Sequence, residues 1–268
     1  MVFPLSAFLV ILTIVKNQNP MRPPYCLFLL LVSIAMGGCQ PKDYTTAARY
    51  EQGLVVCLGG AGGMAGEVDR LREGLYEAGV VYALEDFHWS RNDVLNDQMD
   101  LEENRRRASQ LARRIEGYYY AHPDRPVYLI GVSAGTGIVV WSLEDLQPSH
   151  SIQAAFLIAS SLDSRYDLTK ALECVNGQMY IFYCYTDPLL SLGTTLAGTV
   201  DRRHTLSGGL GGFSPPEKAD QYTKELYNSK FTQRGWQPTD IFEGHIGDHL
   251  GATNPAFVRK HIAPLIRE

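Results

Sequence analysis

Residues 131–135 read Gly-Val-Ser-Ala-Gly, between a short apolar run at 127–130 and a stretch from Thr136 that has the composition of a helix. A serine set between glycines on a strand-to-helix turn is held out at the end of its strand, where its hydroxyl can act as a nucleophile. The turn is tight, so side chains at 131 or 135 would collide with neighbouring backbone. The helix that follows would aim its amide-rich end, starting with the N–H of Ala134, at an oxyanion developing beside Ser133. Without that strand and helix the same string would be an ordinary glycine-rich turn, so the context carries the reading.

A nucleophilic serine needs a base, and the base needs an acid to orient it. His245 and His249 both stand in the segment Gly244-His245-Ile246-Gly247-Asp248-His249-Leu250-Gly251. Asp187 precedes Pro188 after one β-type run, and Asp163 follows the run before it. Asp-Pro is also a common turn start. His88, His122, His150, His204 and His261 fall on turns or helix faces and read as structural.

Runs at 54–58, 80–84, 127–130, 152–158 and 179–185 must position these groups. They are short and rich in Val, Ile, Leu and Tyr, the pattern of strands buried on both faces of a parallel sheet. Val68, Leu71 and Leu75 form one helical stripe between them. Ala108, Leu111, Ala112, Ile115 and Tyr119 form another, with Arg105, Arg106, Arg113 and Arg114 expected to face water. The alternation predicts an α/β fold, a doubly wound, mostly parallel sheet with helices on both faces and its ligand site beyond the carboxyl ends of the strands. About forty residues separate Asp187 from the next expected strand near Phe231, room for a cap or lid that would choose the substrate. The glycine patch at 207–212 lies within that interval and reads as a mobile loop. Trp89, Trp141 and Trp236 suit either a core or an apolar pocket.

In its motifs and their order the sequence resembles the α/β-hydrolase superfamily, from about Gly53 to Ile266. Residues 104–115, the elbow at 131–137, Leu192-Gly193-Thr194-Thr195 and residues 257–266 resemble those of bacterial lipoprotein-type members. The resemblance implies a triad of Ser133, Asp187 and His249, with His245 and Asp163 as alternates. The spacing from His249 to Phe257-Val258 suits the family's closing helix better than that from His245. It places the second oxyanion donor in the loop Gly59-Gly60-Ala61-Gly62-Gly63, where the Ala61 N–H would pair with that of Ala134; Gly60 and Gly62 are the other candidates. The implied activity is that of a serine hydrolase, an esterase or lipase-like enzyme acting on a small-molecule or lipid ester without metal or cofactor. Ser133 itself disfavours an epoxide hydrolase or dehalogenase, which would place an aspartate there.

Two other readings compete. A lipid-anchored binding domain could keep the elbow without catalysis. The stretch Gly60-Ala61-Gly62-Gly63-Met64-Ala65, with Glu85 on the next strand, also matches a dinucleotide fingerprint, which would make the chain an oxidoreductase. That reading leaves Ser133, Asp187 and His249 without a role.

The 24 Lys and Arg against 29 Asp and Glu form no basic tract, so nucleic acid is an unsuited partner. Five cysteines without CxxC or Cys/His ligand spacing argue against structural zinc and a disulfide scaffold. Cys174 and Cys184 could pair, although a cysteine within a strand favours buried free thiols. The first forty residues differ from the rest. Reading from Met21 gives Arg22, an apolar segment at 26–35 and then Met36-Gly37-Gly38-Cys39, which resembles a bacterial lipobox. The expectation is a signal segment over 1–38, lipidation of Cys39, a tether over 39–52, and a hydrolase domain over 53–268, exported and anchored to the cell envelope.

Overall fold

Six strands make one wholly parallel sheet in a computed structural model of the chain, which describes residues 42–63 and 66–267. They are β1 (Leu54–Leu58), β2 (Ala83–Asp86), β3 (Val127–Val132), β4 (Ala154–Ile158), β5 (Met179–Tyr183) and β6 (Phe231–Gly235), in the order β2-β1-β3-β4-β5-β6. The expected signal segment, Cys39, Met64 and Ala65 lie outside the described residues.

Alternate strand residues serve opposite faces, because successive side chains of a strand point to opposite sides. Leu54, Val56, Leu58, Leu129 and Leu157 pack under the helices α2 (Leu101–Ala121) and α3 (Gly135–Asp145). Val55, Cys57, Ile130, Phe156 and Ile158 pack against α1 (Glu67–Glu77) and the C-terminal helical segment with Phe257, Val258 and Ile262. Both faces are covered, so β1, β3 and β4 are buried along their whole length and read as continuous apolar runs. The chain leaves β1 towards β2 and then returns past β1 to β3. The strand order reverses there, and a crevice opens beyond the strand ends.

Several expectations are corrected. β2 starts at Ala83 rather than at residue 80, because Val80 closes α1: its N–H reaches Leu75 O while Gly79, at φ +80°, donates to Tyr76 O. That is a Schellman cap, which takes an apolar residue just after the helix. Residues 43–52 are no tether. The compact unit begins at Asp43, Tyr44 O accepts from Leu84 N, and Arg49 Nη1 holds the carbonyls of Val80 and Tyr82 at 2.9 Å each. Arg106 and Arg113 face water, but Arg105 pairs with Glu144 at 2.7 Å over the Trp141 ring and Arg114 pairs with Glu85 at 2.6 Å.

The glycine patch at 207–212 is not a mobile loop either. Gly208–Gly211 forms a buried helical turn in which Gly209 N donates to Ser160 O and Gly209 O accepts from Cys184 N, each at 2.8 Å. It stitches the ends of β4 and β5 together. Trp89 and Trp141 are buried, and Cys57, Cys174 and Cys184 are free thiols, with burial pushing that of Cys57 up to about 12. No helix among the described residues is long and apolar enough to cross a membrane.

Candidate active site

Ser133 follows β3 directly and sits at φ +53°, a left-handed backbone that only a surrounding of fixed bonds sustains in a residue with a Cβ. Those bonds are present. Its N–H donates to Ile158 O at 2.9 Å, and its carbonyl accepts from Thr136 N at 3.1 Å, Thr136 Oγ1 at 2.6 Å and Ser161 N at 3.2 Å. The need for a small neighbour is real: a Cβ on Gly135 would stand 2.3 Å from the carbonyl oxygen of Gly59. The elbow and the glycine loop after β1 are therefore in contact through backbone.

That loop is held from two sides by buried carboxylates that the sequence motifs did not single out. Glu67, the first residue of α1, accepts the Gly60 N–H at 2.5 Å through Oε1. Asp97, on the short helix Val94–Met99, accepts the Gly62 N–H at 2.9 Å as well as Ser90 Oγ and the Arg91 side chain. Trp89 Nε1 donates to Gly59 O at 2.7 Å, and Gly63 N turns back to Gly60 O. Gly60 and Gly62 are thus committed within the loop. No hydrogen bond occupies the Ala61 or Ala134 N–H among the described residues. The register sets the loop against the nucleophile, since Leu58 pairs with Gly131, and a Cβ on Gly60 would lie 3.0 Å from Ser133 Cβ.

Asp187 performs two tasks with two oxygens. Oδ1 accepts Leu189 N and Leu190 N at 3.0 Å each, capping the helix Pro188–Ala197, and Oδ2 lies 2.6 Å from His249 Nδ1. Turn start and imidazole partner, alternatives in the sequence, are both occupied. The cap fixes the carboxylate, and the carboxylate fixes the ring. His249 is buried, and its loop runs into the C-terminal helical segment that packs on α1.

Ser133 and His249 line one cavity of about 360 Å³, together with Ala61, Glu67, Leu95 and Leu190. No hydrogen bond joins Ser133 to His249. The walls are mainly apolar and come from the helices Val94–Met99 and Pro188–Ala197, the second of which lies within the interval after Asp187 where a cap was expected, ahead of the glycine patch. Gln98 ties them together, its Nε2 donating to Ser161 Oγ at 2.8 Å and Gly198 O at 3.0 Å.

The alternates stay outside. His245 is packed edge-on against Phe257, takes Gly247 N on Nδ1 at 3.4 Å, and is held below the usual imidazole range by burial. Asp163 accepts Arg165 N and forms a bridge to Ser207. Glu85, the residue a dinucleotide ribose would need, is engaged by Arg114 and by Tyr50 Oη at 3.1 Å. Glu67 left a faint trace in the sequence as an acid four residues after a glycine loop. Asp97 left none, because its role depends on a helix that folds back over residues distant in the chain.

The wholly parallel sheet with helices on both faces makes this an α/β fold. No family model and no curated protein matches the sequence. Solved structures do resemble it. A cutinase-like protein from Cryptococcus sp. aligns at 15% identity over 83% of this chain and 96% of that one, with a TM-score of 0.45. Aspergillus fumigatus lipase B aligns at 10% identity over 84% of this chain and 54% of the lipase, with a TM-score of 0.47. A YdeN-like hydrolase from Pectobacterium atrosepticum aligns at 15% identity over 81% and 90%, with a TM-score of 0.37. The chain spans about half the length of the lipase. Likenesses of this order concern the fold and carry nothing about the reaction.

Proposed function

We propose that the chain is a serine hydrolase of carboxylic esters, with Ser133 as nucleophile, His249 as base and Asp187 as the acid that orients it. The observation that carries the reading is convergence: a strained serine, an aspartate-bound imidazole and Ala61 of the glycine loop line one apolar cavity, with the unoccupied amide of Ala134 next to Ser133 in the chain. Ser133 Oγ attacks the ester carbonyl and its proton passes to His249 Nε2, while the carbonyl oxygen takes the electron pair as an oxyanion. The N–H groups of Ala61 and Ala134 receive that oxyanion, each contributing about 3 kcal/mol to the transition state. His249 then returns its proton to the departing alcohol, and water hydrolyses the acyl-enzyme by the same route.

The apolar walls favour an ester with a hydrocarbon acyl chain over a charged one. Its source would be a small-molecule or lipid ester at the cell envelope, to which a lipidated Cys39 would tether the domain. That address rests on the sequence alone. The second reading, a binding domain that retains the elbow, draws on the missing Ser133–His249 hydrogen bond.

Labelling by a fluorophosphonate probe tests both. Rapid labelling of the parent protein that Ser133→Ala abolishes and His249→Ala reduces by at least about 10³-fold is expected. A folded parent that does not label would sink the hydrolase and favour the binding domain.

A further inference from the structure

Glu67 is 1% exposed, yet half of its carboxylate is unmatched. Oε1 takes the Gly60 N–H; Oε2 is buried and has no hydrogen-bond partner among the described residues. A clamp on Gly60 needs one acceptor, which an amide side chain would supply without burying a charge. Leaving a buried polar atom unpaired costs about 1–3 kcal/mol, and more for a charged group. The carboxylate must therefore answer to something else.

Its position says what. Glu67 stands between two cavities, the one that holds Ser133 and His249 and another lined by Asp86, His88 and Trp89. Its Oε1 and Ser133 Oγ lie 3.7 and 3.6 Å from one common point, the place a Gly60 Cβ would take. Besides burial and the Gly60 N–H, the groups whose charge acts on its carboxyl are His249 on the loop after β6, Arg70 on its own helix and Asp86 at the end of β2. Of these, His249 alone changes charge in the proposed reaction, when it accepts the Ser133 proton.

We propose that Glu67 is a positioning residue with two tasks, fixing the oxyanion loop through Oε1 and facing the His249 imidazolium with the charge of its unmatched oxygen. Asp187 then orients the ring, and Glu67 adds a second negative charge from the wall of the cavity that His249 lines. Glu67 itself neither gains nor loses a proton in the step. Burial pushes its carboxyl above the ordinary glutamate value, while the Gly60 N–H and His249 pull it back, so the two groups are electrostatically linked. Its catalytic purpose rests on the serine-hydrolase reading; the linkage to His249 does not.

The test is an NMR titration of the His249 ring protons in the full chain, comparing the parent with Glu67→Gln. Gln keeps an acceptor for Gly60 and removes the charge. The His249 midpoint is expected to be lower in Glu67→Gln than in the parent, as loss of a nearby opposite charge requires. An unmoved midpoint would overturn the proposal and leave Glu67 as a loop clamp only. Should Glu67→Gln not fold, Glu67→Asp withdraws the charge by one methylene, and a midpoint that does not fall there overturns it equally. The acid limb of fluorophosphonate labelling should move with the titration. A parent that never labels removes the hydrolase reading, while the titration still decides the linkage.

Discussion

Residues 59–63 hold four glycines around Ala61, and residues 207–212 hold four around Leu210. By composition they are interchangeable, and both follow or join strand ends. The first turns its amides towards side-chain carboxylates, so that Gly60 and Gly62 are pinned by Glu67 and Asp97 and the N–H of Ala61, a residue of the cavity wall, is left unbonded among the described residues. The second turns its backbone towards other backbone, bonding to Ser160 and Cys184 and filling the space beneath the site. Glycine permits close approach in both cases; what approaches decides whether the segment serves chemistry or stability.

Single alanines should separate the two. A Cβ on Gly209 would meet Ala159 C at 2.4 Å and Ser160 N at 2.5 Å, atoms of backbone that cannot rotate away. Gly209→Ala should lower unfolding free energy by about 3 kcal/mol in urea titration. On Gly60 the Cβ meets Ser133 Cβ at 3.0 Å, so Gly60→Ala should leave stability within about 1 kcal/mol and slow labelling about 100-fold. Equal losses of stability in both variants would erase the distinction.

The sequence made one patch legible and misled on the other for a physical reason. Buried parallel strands advertise themselves as apolar runs, and the elbow needs small residues at fixed spacing, so the sheet and the turn at Ser133 were readable, whereas the pairing of Asp187 with His249 rather than Asp163 or His245 needed the fold. The patch at 207–212 has no apolar run, because its burial comes from the absence of side chains. A segment that packs by having nothing to pack resembles a flexible one. Glu67 and Asp97 were hidden for the opposite reason: charge in the first turn of a helix is ordinary, and only the tertiary fold buries it against a loop. Val80 looked like the start of a strand because a helix cap asks for the same apolar residue.

Acid and neutral stability sharpen the contrast. The folded Glu67 carboxyl lies above its unfolded value, so its proton is bound more tightly in the native state. Glu67 thus favours the fold fully below the ordinary glutamate range, and that contribution disappears as pH rises through the folded value. Glu67→Gln should melt about 2–4 °C above the parent at neutral pH and show no such gain near pH 4. Gly209→Ala should be destabilised alike at both. A pH-independent difference for Glu67→Gln would mean that the carboxylate by the first patch is matched after all.

The smallest effect on stability belongs to the interval after Asp187, where a cap that chooses the substrate is expected. No charged residue occurs between 188 and 200, and the helix Pro188–Ala197 exposes Leu192 at 64% and Leu196 at 74%, beside Leu189 at the cavity wall. Exposed leucines add nothing to a folded monomer, so Leu192→Ser with Leu196→Ser should change stability by less than about 0.5 kcal/mol. Against a hydrocarbon chain each could bury apolar surface worth about 1 kcal/mol. The double variant should therefore lose about thirtyfold in kcat/KM on a long-chain p-nitrophenyl ester and nothing on the acetate. An equal loss on both would place the acyl chain elsewhere in the cavity, since a short ester reaches Ser133 without touching this helix's outer face.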